Sequence, residues 1–365
     1  MTQQSLPTQT ILISGASIAG LTLAYWLKRH GFHVTVVELA QGPRLGGSPI
    51  DVRGQALDVA EWMGILPQIR AAQIGTDGMT FVYAEGQPVA QMDPNQFDEK
   101  VGEDVELRRD VLINMLYDLT KENVEFLFRN TIQTLTQEAY GVDITFADGQ
   151  ARRFDLVLGA DGLHSVVRRL TFGEEEARIV HHLGLYVALL EIDRGVYGQQ
   201  KNQVIFYRSP AGRTAGLSHY PDQDYAMFVF RAPKLSYDYH SLEEKKQLLI
   251  NAFADESGWE VPKLLSIVKA ANDLYFDEVS QVRMSTWSQG RVALIGDAAH
   301  CTAFLSGMGS TLAMVGASVL ANELAKAQGD YQHAFAQYEQ LLRPLVEPTQ
   351  ARVPEAATMF VLSEE

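Results

Sequence analysis

Residues 10–38 read TILISGASIAGLTLAYWLKRHGFHVTVVE. Thr10–Ser14 is an apolar run of strand length. From Ile18 to His30 the apolar residues Leu21, Leu23, Ala24 and Leu27 recur at helical spacing, and Gly31 stands where a helix C-cap belongs. Val34–Val37 is a second strand that ends on Glu38. This is a βαβ unit with glycines at the tight turn (Gly15) and at the helix–strand contact (Gly20), the pattern of a dinucleotide-binding turn. Ser17 occupies the place of the middle glycine of G-x-G-x-x-G. Serine is small and carries a hydroxyl that can cap a helix or bind a phosphate. Glu38 is placed to accept hydrogen bonds from ribose hydroxyls, and its charge repels a 2′-phosphate, so NAD or FAD fits better than NADP. Taken alone, the stretch is also compatible with a strand–turn–helix that binds nothing.

The 365-residue length suggests two domains or one large one. A hydrophobic fraction of 46% with 21% charged residues is ordinary for a soluble globular protein. The formal net charge of −15, with no long like-charge run, argues against nucleic acid or an anionic membrane as partner, because phosphate binding needs clustered Lys and Arg. Cys301 is the single cysteine, which rules out an internal disulfide and a cysteine-based metal cluster and fits a reducing compartment. The first ten residues are polar, and no apolar run reaches membrane-span length. The expectation is a cytoplasmic protein with no metal site and no stable membrane association.

After Glu38, Gly46, Gly47 and Gly54 predict a long loop, followed by a helix over 55–63. Residues 80–84 and 88–92 read as a hairpin around Glu85-Gly86, and ELRRDVLINMLYDL (106–119) as an amphipathic helix with two arginines at its start. A strand over 124–128 and a hairpin over 139–154 come next, then a buried strand at 156–158 and a turn with two glycines and an acid. Strand-like runs dominate 178–233, an antiparallel sheet in a second domain, with helices over 241–254 and 260–270. GRVALIGDAAH (290–300) returns to a buried strand and glycine turn, and an apolar helix covers 311–324. The tail from Tyr331 reads as helical, interrupted by Pro344, Pro348 and Pro354.

Three segments stand out together: GASIAG (15–20) with Glu38, GADGLHSVVR (159–168) and GDAAH (296–300), each a strand end turning into glycine and carboxylate. This set resembles the class A flavin-dependent aromatic monooxygenases, the p-hydroxybenzoate hydroxylase-fold family. GGSPIDVRGQALDVAEWMGI (46–65) and LSGMGSTLAMVGASVLANEL (305–324) are most similar to the tetracycline-inactivating flavin monooxygenases and their bacterial relatives. The resemblance implies an α/β fold: a Rossmann-like FAD-binding domain in three parts (1–80, 104–177 and 276–330), an antiparallel-sheet substrate domain (hairpin 81–103, then 178–275) and a C-terminal helical segment (331–365).

The implied roles follow the same motifs. Gly15, Ser17 and Gly20, with Ile18 and Ala19 of the same turn, flank the FAD pyrophosphate; Glu38 and Leu39 lie at the adenosine ribose. Arg109, in R-x-x-L with Leu112, contacts the ribityl or phosphate region, with Arg108 the neighbouring alternative. Asp161 and Gly162 match the DG motif beside the pyrophosphate; Gly296 and Asp297 match the GD motif at the ribityl chain. Gly307, Met308 and Gly309 bring backbone N–H groups to the isoalloxazine ring, with Arg53 on the same side. Tyr207, Arg213, His219, Phe228 and Phe304 are the substrate candidates, and Arg213 and His219 are the only side chains offered for catalysis, which the flavin itself mediates.

The implied reaction begins with reduction of FAD by NADPH or NADH. O2 then adds at flavin C4a, and the hydroperoxide places one oxygen on an aromatic, phenolic or tetracycline-like molecule, an antibiotic-resistance chemistry in the last case. The partners expected are that small molecule and O2, in a monomer or homodimer. The family usually carries proline shortly after GDAAH, whereas Thr302, Ala303 and Phe304 occupy that stretch here. This departure leaves open a flavin-binding protein that sequesters an aromatic ligand without oxygenating it. A flavin-free NAD-dependent dehydrogenase is disfavoured by the GDAAH segment.

Overall fold

The computed structural model describes residues 9–43, 47–75, 78–92, 104–173, 176–197 and 202–361. Gly46 of the glycine-rich loop, residues 1–8 and residues 93–103 of the segment after the first hairpin lie outside the described residues. The chain divides into two compact units: Met1–Ala72, Arg108–His181 and Gln281–Ala351 form the first, and Gln73–Leu107, His182–Ser280 and Arg352–Glu365 the second.

The first unit is built on a six-stranded sheet in the order Ser288–Gln289, Val292–Leu294, Leu156–Gly159, Thr10–Ser14, His33–Glu38, Glu125–Phe128. All neighbours are parallel except the outer hairpin of the first two. Central parallel strands are covered on both faces, so Ile11, Leu12, Ile13 and Leu156, Val157, Leu158 are completely buried without alternation. The crossover helix Ile18–Arg29 packs on Arg109–Thr120 and on Gly309–Lys326, an 18-residue helix buried on nearly every side. It stops in a Schellman turn: Phe32 N–H bonds Leu27 O at 3.1 Å, Gly31 N–H bonds Lys28 O at 3.0 Å, and Gly31 takes φ +88°.

Four elements differ from the sequence reading. The loop after Glu38 contains a short strand, Pro49–Val52. The helix over 106–119 starts only at Arg109, because Val105–Arg108 is extended. The hairpin over 139–154 gains a third strand, Ile132–Glu138. The tail is one continuous helix, Tyr331–Phe360, across its three prolines. Ala334, Tyr338, Leu342, Val346, Val353 and Ala357 bury one face of it, while all three prolines lie on the exposed face. There, the carbonyls of Gln340 and Pro344, which Pro344 and Pro348 leave without an N–H partner, can be met by water, whereas Gln350 O, left by Pro354, accepts from Gln281 Nε2 at 2.8 Å.

The second unit carries a seven-stranded sheet in the order Tyr275–Val282, Val180–Ile192, Asp224–Arg231, Thr214–His219, Gln203–Arg208, Met79–Val82, Pro88–Met92. From Val180–Ile192 to Pro88–Met92 the neighbouring strands are antiparallel except that Gln203–Arg208 runs parallel to Met79–Val82. Helices Leu242–Ala252 and Val261–Ala270 cover one face, where Tyr186, Phe228, Phe230, Leu249, Phe253 and Leu264 form the core.

Candidate functional site

The register of the first sheet places Val37, Ser14, Gly159 and Leu294 in one row across four parallel strands. The next backbone bonds repeat the step: Gly15 N–H donates to Val37 O, Ala160 N–H to Ser14 O, and Ile295 N–H to Gly159 O, each at 2.8 Å. Glu38, Gly15, Asp161 and Asp297 therefore leave the sheet along a single carboxyl edge, the edge at which open α/β sheets bind ligands.

The turns at this edge are packed backbone on backbone. Gly15 takes φ +106°, and a Cβ there would lie 2.5 Å from Ala160 O. A Cβ on Gly20 would lie 1.9 Å from Gly15 O. Ala19 reaches the third motif, its Cβ sitting 3.1 Å from where a Cβ on Gly296 would be. Ile18 is buried beneath the same turn.

Ser17 has the extended backbone of an N-cap but makes no side-chain cap bond, and the first turn of Ile18–Arg29 holds no acidic residue. Its hydroxyl instead accepts from Arg109 Nη2 at 2.9 Å. A helix N-terminus with a cation beside it is a site for an anion such as a pyrophosphate. The Glu38 carboxylate accepts from Ala16 N–H at 2.8 Å and Ala40 N–H at 2.9 Å, and Leu39 next to it is 60% exposed. Asp297 is exposed, whereas Ala298, Ala299 and His300 behind it are buried. A cation at a helix start, flanked by two carboxylates along one edge, suits a long dianion bearing sugar hydroxyls, as FAD is.

Asp161 points elsewhere. Its Oδ2 accepts from Val166 N–H at 2.9 Å, Val167 N–H at 3.1 Å and Ser14 Oγ at 3.3 Å, and its Oδ1 from the Ser165 hydroxyl. The carboxylate thus braces the start of helix Val166–Phe172, and withdrawal from water pushes it above the ordinary carboxylate range despite these donors. Gly162 occupies the turn itself, with φ +78° and open space where a Cβ would point. Arg168, quoted in the sequence motif without a role, is completely buried and donates to Ala298 O at 2.9 Å and to Leu163 O, tying this turn to the GDAAH helix.

Beyond the third motif, at the start of helix Gly309–Lys326, Arg53 N–H donates to Thr311 Oγ1 at 3.1 Å, and Arg53 Nη2 donates to Asp51 Oδ2 at 2.7 Å. The Ser310 hydroxyl holds Asp51 O. A Cβ on Gly307 would lie 3.6 Å from Arg53 Nη1. Gly307 N–H already donates to Phe304 O at 3.3 Å and Met308 N–H to Ser306 Oγ at 3.2 Å, so these two amides brace their own turn. Gly309 opens helix Gly309–Lys326, whose N-terminal dipole adds positive potential here. Phe304, on the short turn Phe304–Ser306, is 39% exposed. Asp51, Ser310 and Thr311 were not legible as site residues, because their bonds span about 260 positions with no local pattern.

The remaining substrate candidates lie in the second unit. The register aligns Tyr207 with Ala215 and Ala215 with Phe228, so all three share one face. That face is the helix-covered one: Phe228 is completely buried, with its ring 5.2 Å from Phe253. Arg213 pairs with Asp255 and, at 3.4 Å, with Glu256. His219 is buried with Nδ1 3.1 Å from Asp224 Oδ1, its cross-strand neighbour. The opposite face carries the row Phe81, Phe206, Gly216, Met227, Leu189, of which Phe81, Met227 and Leu189 are half-buried.

Among the described residues no helix is long and apolar enough to cross a membrane. The FAD binding domain family matches residues 8–347. The uncharacterized protein Rv1260 of Mycobacterium tuberculosis is 41% identical over 353 residues, 94% of this chain and 92% of its own length. A flavin-dependent monooxygenase of Legionella longbeachae is 34% identical, covering 97% of this chain and 90% of its own length. The crystal structure of the tetracycline destructase Tet(55) superposes with a TM-score of 0.86 at 35% identity, over 97% of this chain and 90% of that one. The chain belongs to the flavin-dependent monooxygenases built on the FAD binding domain, the class A aromatic monooxygenase family.

Proposed function

We propose that the carboxyl edge of the first unit holds FAD, and that the enzyme uses NADPH or NADH and O2 to place one oxygen atom on an electron-rich aromatic or polyketide-like molecule. The single row Val37–Ser14–Gly159–Leu294 carries this reading, because it delivers three separate turns to one edge. Bound FAD supplies the acceptance of a hydride and the activation of O2. The chain supplies the rest. Gly15, Ser17, Gly20 and Arg109 take the pyrophosphate; Glu38 and Leu39 take the adenosine; Asp297 takes the ribityl hydroxyls. Gly309 with its helix start, and Arg53, offset negative charge at the ring. Asp161 and Arg168 hold their turns in shape rather than touching the ligand.

The second unit is the substrate unit in this proposal. Its opposite face, with Phe81, Leu189 and Met227 half-buried, offers flat apolar contact, and Tyr207, Arg213, His219 and Phe228 shape that sheet from behind. NAD(P)H, one proton, O2 and substrate give NAD(P)+, water and the oxygenated product. Similarity to tetracycline destructases puts tetracycline-type molecules first in a substrate panel, with phenols and quinolones beside them.

The test is direct. Purified protein is expected to be yellow, with oxidised-flavin absorbance, and to oxidise NAD(P)H faster when a panel member is present, with a mass gain of one oxygen in the product. Colourless protein that added FAD cannot restore removes the proposal. Bound FAD and bound ligand with no oxygenated product would instead mark a sequestering protein.

A further inference from the structure

We propose that Gln350 and Gln281 are positioning residues for the turn 301–309, which their side-chain amides hold rigid; this rests on the reading above, in which that turn flanks the flavin ring. The turn reads CTAFLSGMG, with two glycines and no proline, so bonds from outside it add to the stiffness of its own short bonds. The structure supplies it from two places far away in sequence. Gln350, on the C-terminal helix, donates one amide hydrogen to Cys301 O at 3.0 Å and the other to Val282 O at 2.8 Å. Gln281, on the strand Tyr275–Val282, donates to Gln350 O at 2.8 Å and to Thr302 O at 3.3 Å. Its own carbonyl oxygen accepts from Arg283 Nε at 2.9 Å and Nη2 at 2.6 Å. Gln281 is completely buried and Gln350 is 7% exposed, so all four amide hydrogens meet carbonyls in a region closed to water.

From Thr302 the restraint passes along the turn. Ser306 Oγ donates to Ala303 O at 2.8 Å, which uses its one hydrogen. The 2.8 Å contact with Thr302 Oγ1 therefore has threonine as donor, and the remaining lone pair accepts Met308 N–H at 3.2 Å. The Ser306 hydroxyl is saturated, and it links the carbonyls fixed by the two glutamines to the backbone at Met308. The two glutamines act through this chain of bonds, without contact to a ligand.

Cys301 is the only thiol of the chain and is 7% exposed within the turn, so its reactivity reports opening of the turn. The experiment measures labelling of the full-length protein by a small aromatic disulfide reagent, with and without FAD, alongside the thermal midpoint. Gln350→Glu keeps the shape of the side chain but removes both N–H donors; it is expected to speed labelling of the FAD-free protein roughly tenfold. Ser306→Ala, which removes the hub, is expected to speed it about fivefold and serves alone if the Gln350 variant does not fold. Gln340→Glu, on the exposed side of the same helix, controls for the added charge and should leave the rate unchanged. In FAD-loaded protein the visible flavin band should shift for Gln350→Glu and not for Gln340→Glu. Labelling of Gln350→Glu or Ser306→Ala within twofold of wild type overturns the proposal. If FAD binds yet fails to slow labelling of the wild type, placement of the ring at this turn falls, while the FAD-free rates still decide the role of the glutamines.

Discussion

The Arg109 guanidinium donates to the Ser17 hydroxyl at 2.9 Å. The residue in place of the middle glycine thus anchors a cation at the start of the crossover helix instead of capping that helix. A hydrogen bond to a charged group contributes about 1.5–3 kcal/mol. Ser17→Ala is expected to weaken FAD binding about tenfold through loss of that anchor, and Arg109→Ala to weaken it further. Fluorescence-quench titration of FAD-free protein measures both. Unchanged affinity in Ser17→Ala would remove the anchoring role, and tighter binding in Ser17→Gly would mean that the hydroxyl obstructs the phosphate.

Asp297 and Glu38 stand at the same edge in different circumstances. Asp297 is exposed at this edge, so Asp297→Ala should lower FAD retention on gel filtration. Glu38→Ala leaves the Ala16 and Ala40 amides without their acceptor, so it should lose FAD and also about 1–3 kcal/mol of stability. Full FAD occupancy in Asp297→Ala would contradict the assignment.

The parallel sheet and its turns were legible because local signals agreed with burial: apolar runs such as Thr10–Ser14, a C-terminal glycine at position 31, and the carboxylates Glu38, Asp161 and Asp297 at the ends of three strands. The direction of Asp161 was not legible, since a carboxylate that braces the next helix and one that faces a ligand share one sequence pattern. The covered face of the substrate sheet was hidden for another reason. Thr214, Ala215, Gly216 and Leu217 are all buried, so the period of two that reveals a strand's inner side is erased. The prolines of the tail gave a local stop signal that packing of one helix face overrode. Gln281 and Gln350, 69 residues apart, carry no local signal at all.

Ala303 takes φ +77° and ψ 152°, in the region that favours glycine. Such a conformation costs a non-glycine residue about 1–3 kcal/mol, against roughly 0.5–1 kcal/mol of extra chain entropy for glycine. Ala303→Gly should therefore stabilise the FAD-free protein by about 1 kcal/mol in denaturant unfolding. A destabilised variant would show that the methyl packing outweighs the strain.

His300 is completely withdrawn from water, beside the Trp287 ring at 4.7 Å and the Tyr338 hydroxyl at 3.3 Å. Burial, aided by the Arg343 charge, holds its imidazole down to about 3 from an ordinary 6.5. The folded state keeps it neutral while the unfolded state protonates, so its contribution is complete above 6.5 and is lost as pH falls towards 3. The slope is about 1.4 kcal/mol per pH unit within that window. His300→Gln should flatten the acid limb of the stability–pH curve by that amount relative to wild type. Parallel limbs in the two proteins would mean that His300 is protonated in the fold.

Phe228 and Met227 are neighbours in one strand and point to opposite faces of the substrate sheet, the first completely buried against Phe253 and the second half-buried on the face away from the helices. Truncating a buried phenylalanine costs about 3–5 kcal/mol through lost contact and the cavity left behind. Phe228→Ala should therefore lower the unfolding midpoint sharply, while whatever protein remains folded keeps a near-normal KM. Met227→Ala removes little buried surface and should leave the midpoint within about 1 kcal/mol equivalent of wild type. If the face that carries Met227 receives substrate, KM rises in Met227→Ala while NAD(P)H oxidation without substrate is unchanged. The two variants thus separate the faces by opposite signatures. A raised KM in Phe228→Ala with an unaltered one in Met227→Ala would place substrate on the helix-covered side, against the packing of Phe228 and Phe253.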